Sequence, residues 1–207
     1  MPIHYKYRSL ENWKFVLDIF LNRRLYAASF ETLNDPMEGR YFYFNDEVTK
    51  QFRAAILNRK AGWRICSLSK TASNTLMWSY YASGHQGIAI GVSIRPVRGS
   101  DLQLKDVRYD REVHVGPRKV GRTVDDVALD ILTQKQLAWE HEKEVRVFVR
   151  QPFVEIDVRE LVFGCLISQV DKELLIGLAR KVAPRAKFRT LERDDLDDQN
   201  ALPLLRR

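Results

Sequence analysis

Cysteine is almost absent: Cys66 and Cys165 are the two in 207 residues. Two thiols cannot make a cysteine zinc site, and their apolar neighbours predict free, buried thiols rather than a disulfide framework. Histidine is equally sparse, with His4, His85, His114 and His141 at no paired ligand spacing, so no metal site is predicted from them. No apolar run approaches the ~20 residues that would cross a bilayer. The opening MPIHYKYR has no apolar signal-peptide core. The expected location is therefore the cytoplasm, away from membranes. Glycine (10) and proline (7) are few and scattered, without a linker, a repeat or a low-complexity tract. Neither a Walker loop nor a dinucleotide-binding glycine fingerprint stands between a strand and a helix, which excludes the commonest nucleotide-binding folds.

Apolar residues make up 45% of the chain and aromatics 11%, too many for a disordered protein. The length suits one domain, expected over residues 1–190, with an acidic and then basic tail over 191–207. Thirty-four Lys and Arg against 27 Asp and Glu leave a net charge of +7. Part of the excess gathers in Arg108, Arg111, Arg118, Lys119 and Arg122, a segment suited to phosphates; Asp194, Asp195, Asp197 and Asp198 mark the tail.

Alternation predicts strands over 3–8, 25–30, 63–69, 87–94, 104–109, 144–150, 162–168 and 187–191. Helical spacing predicts helices after a Ser9 cap, over 46–59, 74–83, 123–138 and 171–182. The stretch 34–39, NDPMEG, is turn chemistry. Strands that do not alternate regularly with helices indicate an α+β fold with a mixed, mostly antiparallel sheet and flanking helices.

Three distributed elements carry the chemistry. Arg8 ends the first strand, Ser67 and Ser69 share a face of the third, and Glu142 and Glu144 lead a late strand. An arginine fork clamps a pyrophosphate, a serine orients a ribose or braces a carboxylate, and an ionised glutamate stabilises an oxocarbenium-like centre. These are the needs of N-glycosidic bond cleavage. Trp78, Tyr80 and Tyr81, with His85 after them, are suited to lining a nicotinamide or base pocket, and His85 is a candidate general acid or base. Asn34, Asp35 and Glu38 with Glu142 or Glu144 offer a different reading, a metal-dependent nuclease. A third reading is a non-catalytic nucleotide or nucleic-acid-binding module built on the basic segment and the aromatics.

The motifs YKYR at 5–8, NDPME at 34–38, CSLS at 66–69, MWSYY at 77–81 with HQG at 85–87, and the segment from Trp139 through EKEVR at 142–146 together resemble a bacterial domain-of-unknown-function family. The resemblance spans residues 3–170. More distantly, the chain is similar to mono-ADP-ribosyltransferases of the Arg–Ser–Glu type, in the order Arg8, Ser67 and Ser69, Glu142 and Glu144. That similarity implies a split sheet of the ADP-ribosyltransferase kind and NAD as a substrate. Arg8 would bind the NAD phosphates, Ser67 would support the nicotinamide ribose or the catalytic acid, Glu144 would be the catalytic carboxylate, and Glu142 would assist acceptor attack. Ser69 joins Arg8, Trp78, Tyr80 and Tyr81 as an expected NAD contact. The middle motif here is Ser-Leu-Ser where that family has Ser-Thr-Ser, and the His85 cluster has no counterpart. The implied acceptor is a protein or a nucleic acid. A toxin or defence role, with an antitoxin or another protein as partner, goes with that activity.

Overall fold

The computed structural model describes residues 2–35, 37–43, 49–97, 99–111 and 122–192. His114, Arg118, Lys119 and the tail's Asp194, Asp195, Asp197 and Asp198 lie outside the described residues.

The sheet is organised around a strand with no wet face. In β5 (Ile88–Ile94), Ile88, Ile90 and Val92 point to one side and Ala89 to the other, and all are buried. β5 pairs antiparallel with β1 (His4–Arg8) on one edge and with the long β10 (Phe153–Phe163) on the other. Beyond β1 lie β4 (Arg64–Ser69), β9 (Glu144–Val149) and β6 (Gln103–Asp106), all antiparallel. β11 (Lys187–Thr190) adds a parallel edge to β10. Two short strands, β2 (Arg24–Tyr26) on β10 and β3 (Ala28–Ser29) on β4, complete a nine-stranded sheet. β7 (Arg108–Asp110) and β8 (Gln134–Gln136) form a separate parallel ribbon. The fold is mixed α+β with a mostly antiparallel sheet.

Helices cover both faces. α1 (Trp13–Asn22) and α5 (Gln169–Val182) bury Val16, Ile19, Phe20, Leu175 and Ala179 against Ile88, Ile90, Val147 and Ile156. Each such side chain withdrawn from water stabilises the fold by roughly 1.5–3 kcal/mol before entropy is counted. On the opposite face, α3 (Thr75–Tyr81) packs Met77 and Trp78 on Tyr7, Ala89 and Val162. α2 (Lys50–Ala61) and α4 (Val124–Ile131) meet through Ile56, Val127 and Ile131. Among the described residues no helix is long and apolar enough to cross a membrane. Cys66 is buried and Cys165 partly so, and both are free thiols.

Several boundaries differ from the sequence expectation. α1 begins after Asn12 rather than on Ser9, whose hydroxyl accepts from the Glu11 amide instead. The strand expected over 25–30 is cut into β2 and β3, and Phe30–Thr32 is a 3-10 turn. The strand expected over 104–109 is divided between β6 and β7. Val48, assigned to the helix over 46–59, lies outside the described residues, and α2 starts from the Thr49 cap. The helix expected over 123–138 stops at Ile131, because the Thr133 hydroxyl bonds back to the carbonyls of Leu129 and Asp130 and the chain then enters β8. The strand expected over 162–168 is the end of β10, and Ser168 caps α5 by accepting from the Asp171 amide.

The sheet opens at one seam. β1 meets β4 at a single pair, Tyr5 with Ser69, and β3 takes the same edge of β4 at Ile65 and Arg64. Between these contacts the ladder is interrupted, and the Lys6 ammonium donates to the Ser67 carbonyl at 2.8 Å in place of a strand amide.

Candidate functional site

A cavity of about 540 Å³ occupies that seam. Four successive residues of β1, Tyr5 to Arg8, line it, as residues 67–69 of β4 do. Alternating side chains of one strand can share a cavity only where the sheet beside it has parted. Asn34, Asp35 and Glu38 from the turn, Tyr81 from α3, Lys135 from β8 and the pair Glu142 and Glu144 close it. The volume is that of a small-molecule site.

Glu142 and Glu144 reach the cavity by different routes. Glu142 ends a 3-10 segment (Leu137–Glu142), Lys143 turns the backbone left-handed at φ 46°, and Glu144 opens β9. The pair is therefore not a strand face, as its spacing predicts, yet both carboxylates arrive at the same wall. The Ser69 hydroxyl donates to the Glu142 carbonyl at 2.8 Å and fixes that turn.

The carboxylates are held in a buried network. Arg146, completely buried, donates to both oxygens of Glu38 (2.6 and 2.9 Å) and both of Glu144 (2.9 Å each), and to the Leu132 carbonyl at 2.5 Å. All of its N–H groups are thereby used. Lys135 lies 2.5 Å from Glu142 and 3.5 Å from Glu144, with its ammonium 4.7 Å from the Trp139 ring. The Tyr81 hydroxyl donates to the other Glu142 oxygen at 2.7 Å.

These contacts tune the groups in opposite directions. Burial opposes ionisation of Glu144, but Arg146, Lys135 and the Ser67 hydroxyl outweigh it and hold the carboxyl at about 2. Glu38 is pushed up, because its burial, with the Glu144 charge beside it, outweighs Arg146 and Lys135. Desolvation also raises Tyr81, helped by Glu142. On the β1 wall, burial lowers Lys6 to about 8, with Arg8 as a like-charged neighbour, and burial lowers Arg8 too. Arg8 pairs with no carboxylate among the described residues, and its buried Nε has no hydrogen-bond partner.

The structure thus brings together Arg8, Ser67, Ser69, Tyr81, Glu142 and Glu144. It places three expected site residues elsewhere. Trp78 is fully buried, its indole donating to the Ala72 carbonyl at 2.7 Å, and it packs edge-on against Tyr7. Tyr80 is 64% exposed, and its ring meets His141 instead of the cavity. His85 stacks on Trp78 in a left-handed turn at φ 70° and does not line the cavity, so its general acid or base role has no geometric support. Lys6, Lys135 and Arg146 are site residues that the sequence does not single out. Arg146 leaves one signal, a charge inside the apolar run VRVFV, where a strand buried on both faces demands a buried partner.

The donor set does not suit a metal. Asp35 accepts from the Met37 amide at 2.8 Å, while the oxygens of Glu38, Glu142 and Glu144 are taken by Arg146, Lys135 and Tyr81. Among the described residues no group of three or more His, Cys, Asp or Glu side chains is arranged to hold an ion. No family model, curated protein or solved structure matches the chain.

Proposed function

We propose that the chain is an NAD-dependent ADP-ribosyltransferase or NAD glycohydrolase of bacterial type, with the cavity as the NAD site. The observation that carries this is the division of charge across the seam. Lys6 and Arg8 stand on the β1 wall with no carboxylate partner among the described residues, whereas on the facing wall Glu38, Glu142 and Glu144 outnumber Arg146 and Lys135. A ligand with an anionic pyrophosphate and a cationic pyridinium ribose matches both walls at once.

In this reading Arg8 and Lys6 bind the pyrophosphate, and Arg8's unpaired Nε is the group that gains most. Ser67 holds Glu144 ionised beside the ribose, and Ser69 fixes the turn that aims Glu142. The bond from C1′ to the nicotinamide nitrogen breaks, and its electron pair leaves with neutral nicotinamide. Positive charge develops on the ribose and is met by the Glu144 carboxylate. A nucleophile, water or an acceptor, then forms the new bond to C1′ and gives up its proton. The open seam between β1 and β4, and the order of Arg8, Ser67 and Glu144 along the chain, support the ADP-ribosyltransferase-like version of the fold.

The test is calorimetry with NAD and mass spectrometry for released nicotinamide. Glu144→Gln keeps a hydrogen-bond acceptor for Arg146 and is expected to lose about 10²–10³-fold in turnover while NAD binding persists. Arg8→Ala is expected to weaken NAD binding by about 10–100-fold, the loss of a charge-assisted hydrogen bond. Unchanged turnover in Glu144→Gln, with thermal melts showing a folded protein, removes the mechanism.

A further inference from the structure

A second cavity, of about 330 Å³, adjoins the first. Asp35, Glu38 and Lys135 line both, so the candidate NAD site and the second chamber meet at these three side chains. The second chamber has a different lining. Arg40 and Arg111 are exposed, and among the described residues neither guanidinium has a partner. Gln134 and Gln136 lie on one face of β8, two residues apart, on either side of Lys135. Phe42 completes it with a ring 62% exposed.

We propose that this chamber is the acceptor site, and that the acceptor is a base of a single-stranded nucleic acid. Guanidinium groups bind phosphate, side-chain amides read a base edge, and an exposed ring stacks on a base without needing a duplex. A protein acceptor would leave the two arginines without their matching charge unless it were acidic. The proposal rests on the NAD reading above and adds the identity of the nucleophile. A ring or exocyclic nitrogen of the base attacks C1′ of the NAD ribose, the C1′–nicotinamide bond breaks, and nicotinamide leaves with its electron pair. The proton from the base nitrogen passes to Asp35 and then to solvent. Asp35 suits this role because it lines both chambers and, among the described residues, its Oδ1 accepts from the Met37 amide while its Oδ2 is not engaged.

The test uses the full chain with labelled single-stranded DNA and RNA oligonucleotides containing all four bases, an acidic peptide as control, and NAD. Fluorescence anisotropy reports oligonucleotide binding across salt, calorimetry reports NAD binding, and mass spectrometry reports nicotinamide and ADP-ribosylated oligonucleotide. Arg40→Ala with Arg111→Ala is expected to weaken oligonucleotide binding and to reduce its salt slope by about 1 for each phosphate that the variant no longer neutralises, with NAD affinity unchanged. Asp35→Asn can still accept from the Met37 amide, and is expected to slow transfer to the oligonucleotide by about 10²-fold or more while NAD binding is retained. Nicotinamide release without oligonucleotide binding, transfer to the peptide instead, or binding indifferent to the two arginines overturns the acceptor proposal alone. Oligonucleotide binding without nicotinamide release overturns the NAD reading, and the acceptor role with it.

Discussion

Arg146 shows how much of this site is a matter of single side chains. It sits between Glu38 and Glu144 with no exposure to solvent, so those carboxylates, with the Leu132 carbonyl, take the place of water around its charge. Arg146→Met would leave two carboxylates buried without their shared cation, which costs about 3–5 kcal/mol. Urea denaturation should show the midpoint falling accordingly, and a change under about 1 kcal/mol would mean that water reaches the network and solvates its charges. Lys6 makes a prediction of the opposite kind, about function rather than folding. Burial and Arg8 lower it to about 8, so in the free protein it loses its charge as pH rises through that value. An anionic ligand favours the charged form, and NAD affinity should therefore fall as pH climbs above about 8, by at most about tenfold per unit. Binding above that pH should be accompanied by proton uptake, visible as a dependence of the calorimetric heat on the buffer's ionisation enthalpy. Lys6→Gln should remove both effects; a flat profile in the unaltered protein would place the phosphate elsewhere.

At the scale of elements, the turn after α3 controls where β1 ends. Gly87 approaches so closely that a Cβ there would lie 2.2 Å from the Arg8 carbonyl and 3.0 Å from Ala82. Gly87→Ala must move the end of β1, which also carries the Arg8 side chain. The expected outcome is a loss of about 1–3 kcal/mol in stability together with weaker NAD binding, read by a thermal melt and calorimetry on the same sample. A variant as stable as the parent would show that the turn can yield. The same scale explains what the sequence discloses. Strands β1, β4, β5 and β9 are legible because alternation or an unbroken apolar run marks them. β10 is hidden because its pattern changes phase: Val154, Ile156 and Val158 face the core, the register shifts between Val158 and Glu160, and Leu161 and Phe163 then take that face. A bulge breaks the two-residue period on which strand assignment depends. Arg8, Ser67, Ser69, Glu142 and Glu144 can be picked out as residue types in a familiar order. Lys135 cannot, since it falls within the periodic stretch 123–138 that reads as helix, whereas the chain leaves α4 at Ile131 and Lys135 reaches Glu142 from β8. Trp78 and His85 show the converse, aromatic density that serves packing.

For the whole molecule, the parting of the sheet at one seam sets two kinds of surface opposite each other, and under the proposed function NAD spans both. The fragments of NAD should then behave differently. ADP-ribose carries the pyrophosphate and should depend on Lys6 and Arg8, while nicotinamide is neutral and should be indifferent to them. Salt sharpens the contrast, because screening weakens the attraction of partly exposed charges and leaves uncharged contacts alone. ADP-ribose affinity is expected to fall between low and physiological ionic strength and to fall less steeply in Arg8→Ala, while nicotinamide affinity stays level in both proteins. Calorimetry at several salt concentrations, with each fragment titrated alone and then in the presence of the other, measures this directly. The two should bind together, since they answer to opposite walls of one cavity. If they exclude each other, or if nicotinamide shares the salt slope of ADP-ribose, the walls do not divide the ligand, and the net charge of +7 would be acting on any anion rather than on one held at the seam.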